Sequence, residues 1–161
     1  MTIIAEDLGH ITPAVRETMA SLDLTGMRTI LLAFGEDFPK NEFVPHNLVR
    51  NCIAYTGTHD FNTAKGWFES EASYKEKMKL FKYLRREAPA EEISWEFMRL
   101  AMASVANTAI LQMQDILSLG KEARMNTPGL PKGNWEWRVL PEQIRSMDRR
   151  ILEMTEIYGR V

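Results

Sequence analysis

Apolar residues gather along the chain into short runs that each break off into polar residues. Thr2 to Ala5 leads straight into Glu6-Asp7, and Arg28 to Phe34 leads into Gly35-Glu36-Asp37. Asn51 to Thr56 leads into Gly57-Thr58-His59-Asp60, and Thr108 to Met113 into Gln114-Asp115. Near-continuous apolar runs, rather than alternation, predict strands covered on both faces, as in a parallel sheet. Helical patterns lie between them. Thr12-Pro13 predicts an N-cap with proline at the first helical position, opening a helix that reaches about Ser21. Tyr74, Met78, Phe81 and Leu84 recur at helical spacing, and the Lys and Arg residues from Lys75 to Arg86 read as a solvated face. Pro89 closes that helix, and the next is expected from near Ser94, carrying Trp95, Met98, Leu100, Ala101 and Val105. Pro141 and Glu142 open a last helix, in which Ile144, Met147, Ile151, Met154 and Tyr158 repeat at three and four. Strand, polar end, helix, strand predicts an α/β fold on a parallel sheet. No repeat or linker divides the chain, so residues 1–161 are expected to form a single unit. Asn126 to Arg138, rich in Gly, Pro, Asn and Trp, reads as an ordered loop.

Composition narrows the class. The 161 residues are 45% apolar and 26% charged, with 20 Lys+Arg against 22 Asp+Glu. The basic residues are spread among acidic ones, and the concentrated positive face of a nucleic-acid binder is absent. A single cysteine, Cys52, predicts a reducing compartment, here the cytoplasm. The N-terminal residues have no basic-then-apolar signal pattern, and no apolar run approaches the ~20 residues of a membrane span. Neither nucleic acid nor membrane is expected as a partner.

In parallel α/β folds the strand C-termini share one rim, and the residues just past them line the site. That rule gathers Glu6, Asp7, Glu36, Asp37, His59, Asp60, Gln114 and Asp115. Carboxylates exchange protons and accept hydrogen bonds from hydroxyls, so this rim suits a neutral, polyhydroxylated substrate. It suits a phosphate ester poorly, because no Gly-rich loop or Lys/Arg cluster accompanies it. Acidic residues after strands also serve as helix caps or solvated turn residues. For Asp7 and Asp37 the capping role leads; for Glu6 and Asp60 both roles stay open. His10, His46 and His59 lack metal-site spacing, so no metal or cofactor is expected. Cys52, inside an apolar run, reads as a buried structural thiol.

Several blocks together resemble one family. Ile3-Ile4-Ala5-Glu6-Asp7-Leu8-Gly9, followed by Ile11-Thr12-Pro13 and Val15, resembles the 4-α-glucanotransferases, or amylomaltases. Gly26-Met27-Arg28, Pro45-His46-Asn47 and Tyr55-Thr56-Gly57-Thr58-His59-Asp60 continue the likeness in order. So do the run from Leu119 to Gly129 and Gly133-Asn134-Trp135-Glu136-Trp137-Arg138. The resemblance implies part of a (β/α)8 barrel and retaining transfer of α-1,4-glucan segments between maltooligosaccharides. By position it implies Glu6 as acid/base and Asp60 as the carboxylate that holds hydroxyls of the reacting ring. His59, Asn126 and Glu36 fall at substrate contacts. Glu6 in that role must start each cycle protonated, which requires burial or a neighbouring negative charge. Asp7 beside it reads as a cap or structural ligand.

Two positions depart from the family pattern. Phe61 stands where Asn follows the His-Asp pair, and Leu32 where an aromatic precedes the last Phe of its segment. The family's nucleophile lies upstream of the Glu6 block, so the chain reads as roughly the last half of a barrel of about 250 residues, inactive alone. Its expected partners are α-1,4-glucans and either a missing N-terminal half or a second copy covering the open sheet edges. Two other readings stand beside this one: a non-catalytic glucan-binding or interaction module, and a structural α/β protein whose acids are only caps.

Overall fold

The computed structural model describes residues 3–145 and 149–160. Four strands form one parallel sheet in chain order: β1 (Ile4–Ala5), β2 (Thr25–Thr29), β3 (Cys52–Tyr55) and β4 (Thr108–Ile110). The register sets Ala5 beside Gly26, Met27 beside Ile53 and Tyr55 beside Ile110. Consecutive parallel strands lying side by side is the order of a (β/α)8 barrel, of which these are four strands. The expected α/β class is what the chain adopts.

The connections carry the helices. α1 (Pro13–Ser21) follows β1; α2 (Ala64–Ser70), α3 (Tyr74–Leu84) and α4 (Ala90–Met102) follow β3. α5 (Met113–Ile116), α6 (Pro141–Arg145) and α7 (Arg149–Ile157) follow β4. α1 runs from Pro13 to Ser21 as its pattern predicts, and α3 covers the expected stripe from Tyr74 to Leu84 but stops there, at a left-handed Arg85, rather than at Pro89. Pro13 sits in the first turn of α1, and Ser73 and Glu76 cap α3 reciprocally through side chain and backbone. α4 starts four residues before Ser94, with Pro89 as its N-cap rather than as the end of α3, and it stops at Met102, so Val105 lies beyond it and is exposed. The last pattern spans α6 and α7, and Met147 between them lies outside the described residues.

Side-chain alternation gives the sheet two unlike faces. Cys52 and Ala54 join the core with Ile30, Phe34, Trp67, Leu80, Ile93 and Phe97. Phe97 of α4 is the hub, meeting Trp67 and Phe34 edge-on at ring separations of 5.4 and 6.0 Å. The intervening residues Met27, Tyr55 and Ile110 line an open cleft on the opposite face.

Two expected strands shift, and one helix was not expected. The run Arg28–Phe34 was expected as a strand; the strand is Thr25–Thr29, and Ile30–Leu32 tighten into a 3-10 turn. Ile30, Leu31, Ala33 and Phe34 are all buried, so the apolar run reports burial and not strand geometry. β4 stops at Ile110, and Met113 already belongs to α5, N-capped by Gln112. α2 has no helical periodicity to announce it, being seven residues long with Gly66 inside. It is held from outside instead: Thr63 Oγ1 accepts from Gly66 N–H at 2.9 Å, and Asp115 Oδ1 accepts from Ala64 N–H at 2.7 Å. Cys52 is the expected buried thiol, donating to Val49 C=O, and desolvation raises its pKa.

Asp115 is fully buried and also accepts from Thr56 Oγ1 at 2.6 Å, at the end of β3. Burial raises its pKa from 3.8 to about 6, against the opposing pull of its two hydrogen bonds. Between those values the folded chain keeps a proton that the unfolded chain has lost. Its contribution to stability therefore falls as pH rises from about 4 to about 6, then levels, by roughly 2–3 kcal/mol in all. Urea unfolding of the native chain and Asp115→Asn at stepped pH reads this directly. The native-minus-variant difference should decline across that window; a constant difference would contradict the assignment.

Candidate active site

Residues past β1 and β3 converge on the open face of the sheet. Glu6, Leu8 and Gly9 come from the first strand end, and Gly57, Thr58, His59, Asp60 and Phe61 from the third. With Met27, Tyr55, Ile110 and Gln112 they line a cleft of about 470 Å³. Its carboxylates and imidazole are those of Glu6, Asp60 and His59. His59 Nε2 lies 3.4 Å from Asp60 Oδ1, and the His59 ring tilts over Trp135 with centroids 5.0 Å apart. Asn126 Nδ2 donates to Asp60 Oδ1 at 2.5 Å, bringing a third chain segment to the same point.

Glu6 and its neighbour Asp7 have opposite fates. Asp7 is 1% exposed. Its Oδ1 accepts from Met27 N–H at 2.7 Å, and its Oδ2 accepts from Arg28 at 2.6 Å and Arg16 at 3.2 Å. Glu42 completes the cluster, pairing with Arg16 and, at 3.1 Å, with Arg28. Gly26 makes the room, since a Cβ there would stand 2.9 Å from Asp7 Oδ2. With Asp7 drawn into this cluster, Glu6 is left exposed at the cleft. The burial expected for Glu6 is thus not supplied by the described residues.

The other rim residues separate in the same way. Asp115 and Gln114 are buried and structural, Gln114 donating to Ala123 C=O at 3.2 Å. Glu36 and Asp37 border a different cleft, of about 620 Å³, with Phe38, Lys40 and Phe43. Glu36 is therefore not brought to Glu6 and Asp60. Phe61 lines the main cleft while packing against the core, whereas Leu32 does neither. A further cleft of about 360 Å³ lies between α4 and α7, but Arg86 and Arg99 there pair with Glu96 and Glu92.

Sequence reasoning missed Tyr55, Gln112 and Trp135, and also Arg124, which donates to the backbone carbonyl of Asp60. Gln112 lies two residues past the end of β4, and placing the end of that strand at Ile110 would have brought it into view. Arg124 and Trp135 sat in the blocks that carried the resemblance, where Asn126 alone was singled out. Among the described residues no group of three or more His, Cys, Asp or Glu could hold a metal ion, and no helix is long and apolar enough to cross a membrane.

Comparison with known proteins identifies the lineage. The family model described as 4-alpha-glucanotransferase matches residues 1–143. The chain belongs to the 4-alpha-glucanotransferase family. It is 43% identical over 159 residues to a 4-alpha-glucanotransferase of Clostridium butyricum, covering 98% of this chain and 32% of that one. It is 42% identical over 163 residues to a chloroplastic/amyloplastic 4-alpha-glucanotransferase of Arabidopsis thaliana, covering 99% of this chain and 28% of the relative. A solved structure of amylomaltase from Streptococcus agalactiae in complex with acarbose superposes with a TM-score of 0.89 at 36% identity. That match covers 98% of this chain and 32% of the amylomaltase. The chain thus spans about a third of the length of these relatives. The plastid relative also means that family membership does not place this chain in the cytoplasm.

The two adjacent acids should respond oppositely to amide substitution. Asp7→Asn leaves Arg28 and Arg16 without their shared buried carboxylate and should cost about 3 kcal/mol in urea unfolding. Glu6→Gln, at an exposed position, should stay within about 0.5 kcal/mol of the native chain. Equal losses in both variants would mean that Glu6 is structural too.

Proposed function

We propose that this chain supplies the acid/base and the transition-state-holding carboxylate of a retaining α-1,4-glucan transfer. The reading is carried by the convergence of Glu6, His59 and Asp60, from two separate strand ends, on one cleft. Family membership and the acarbose-bound structural relative point to the same substrate class. In this reading Glu6 protonates the glycosidic oxygen as the donor chain leaves, then takes the proton from the incoming sugar hydroxyl. Asp60 accepts hydrogen bonds from hydroxyls of the reacting ring as positive charge grows at its anomeric carbon. His59 and Asn126 hold neighbouring hydroxyls, and the exposed face of Trp135 offers a stacking platform. Glu36, in its separate cleft, would meet a different sugar unit from the one at Glu6 and Asp60.

A double displacement needs a nucleophile as well, and the cleft among the described residues holds only the carboxylates Glu6 and Asp60. The reading assigns the nucleophile to a carboxylate outside these 161 residues. It assigns the covering of Glu6, which an acid needs in order to hold its proton, to the remainder of the barrel. The edges at β1 and β4, which no strand among the described residues covers and where Ile4 and Ile110 are exposed, are where that remainder or a second copy would dock.

One observation favours a second reading, a glucan-binding module without catalysis: Phe61 lines the cleft where the family pattern carries Asn. Maltotriose separates the two. The chain alone should leave it unchanged. Joined behind the N-terminal two thirds of the Clostridium butyricum relative, the chain should produce glucose and longer maltooligosaccharides. Glu6→Gln in that hybrid should lower turnover by about 10³-fold, within the range of general acid-base catalysis. Full turnover without Glu6 would refute the assignment, and saccharide binding without turnover in every hybrid would favour the binding module.

A further inference from the structure

Arg124 is not among the residues that line the cleft, but it bonds directly to one that does, Asp60. Its guanidinium makes three bonds to three chain segments. Nη2 donates to Asp60 C=O at 2.8 Å, Nε donates to Asn126 C=O at 2.8 Å, and Nη1 pairs with Glu71 Oε1 at 2.9 Å. Glu71, just past α2, is itself held by Asn62 Nδ2 at 2.8 Å, and Asn62 is 3% exposed. The chain of contacts therefore begins in the core and ends at the cleft carboxylate.

We infer that Arg124 is the positioning residue for Asp60: it sets the spacing of two backbone segments so that the Asn126 amide meets one oxygen of the Asp60 carboxylate. The planar fork makes this possible. Two nitrogens at fixed separation bind the carbonyls of Asp60 and Asn126 together, which fixes the distance between their side chains. Asn126 Nδ2 then donates to Asp60 Oδ1 at 2.5 Å, so the carboxylate cannot rotate freely. Its second oxygen has no hydrogen-bond partner among the described residues and is left for a ligand of the cleft that Asp60 lines. The Asp60 side chain is 43% exposed; within the cleft His59 Nε2 lies 3.4 Å from its Oδ1, and the clamp adds the Asn126 hydrogen bond to that same oxygen. Lysine could reach Glu71 or one carbonyl, but not hold both carbonyls in one plane.

This inference rests on the reading of Asp60 as the carboxylate that serves the transition state, and two measurements keep the two apart. The first needs no turnover. In the isotope-labelled 161-residue chain, the Asn126 side-chain amide protons should show one hydrogen-bonded, shifted resonance, which Arg124→Lys should abolish while the remaining spectrum stays folded. An unchanged Asn126 amide in Arg124→Lys overturns the clamp. The second uses the hybrid with the Clostridium butyricum relative. Misplacing a group that acts in the transition state should lower kcat by on the order of 10²-fold with KM little changed. Arg124→Ala should recover part of that loss on adding guanidinium at non-denaturing concentration. A rise in KM alone would overturn the proposal by making Arg124 a substrate contact. If Glu6→Gln retains turnover, the catalytic reading fails while the Asn126 amide still decides the clamp.

Discussion

A single buried carboxylate, that of Asp115, sets where the cleft loop begins and ends. One oxygen takes the Thr56 hydroxyl at the end of β3, and the other takes the Ala64 amide at the start of α2. The residues between these two points include Gly57, Thr58, His59 and Asp60. An ionised carboxylate at a helix N-terminus is favoured by the unpaired amides there, which partly offsets its desolvation. Loosening this contact frees both ends of the loop at once. Arg124 then holds the same loop at the Asp60 carbonyl, so His59 and Asp60 are displayed from a segment restrained at three places.

The charged residues of the rim divide by solvent access, and the division defines the site. Asp7 and Asp115 are buried and fully occupied by protein donors, whereas Glu6, His59 and Asp60 remain partly or largely open. A carboxylate whose oxygens already accept two or three protein hydrogen bonds has little capacity left for substrate hydroxyls. The buried pair builds the rim, and the open group is available to a ligand. Adjacent residues can fall into opposite classes, as Glu6 and Asp7 do, because the chain turns successive side chains to opposite sides.

Helices with their own local signals were legible from the chain. α1 carries proline at its start, and α3 carries a capping box and an apolar stripe, and both run over the expected residues. α2 was not legible, because its stability comes from Thr63, Asp115 and the packing of Trp67 on Phe97. The segment Ile30–Phe34 misled for a related reason: hydrophobicity records that a residue is buried, and a buried 3-10 turn needs it as much as a strand does. At the site, Glu6, His59, Asp60 and Asn126 were recognisable from their motifs, while their mutual contacts were not.

By itself the sequence determined the parallel α/β class, the family, the acidic ends of the strands and the candidate residues. All of these depend on residue type and short-range order, which the chain carries directly. Tertiary structure alone decided which acids are buried and which are open, that Glu36 stands apart from the cleft, and that Arg124 joins Asp60 to Asn126 and Glu71. Those outcomes depend on contacts between residues as much as 66 positions apart. Such contacts form only when the sheet brings its strand ends to one rim, and no local pattern in the chain encodes them.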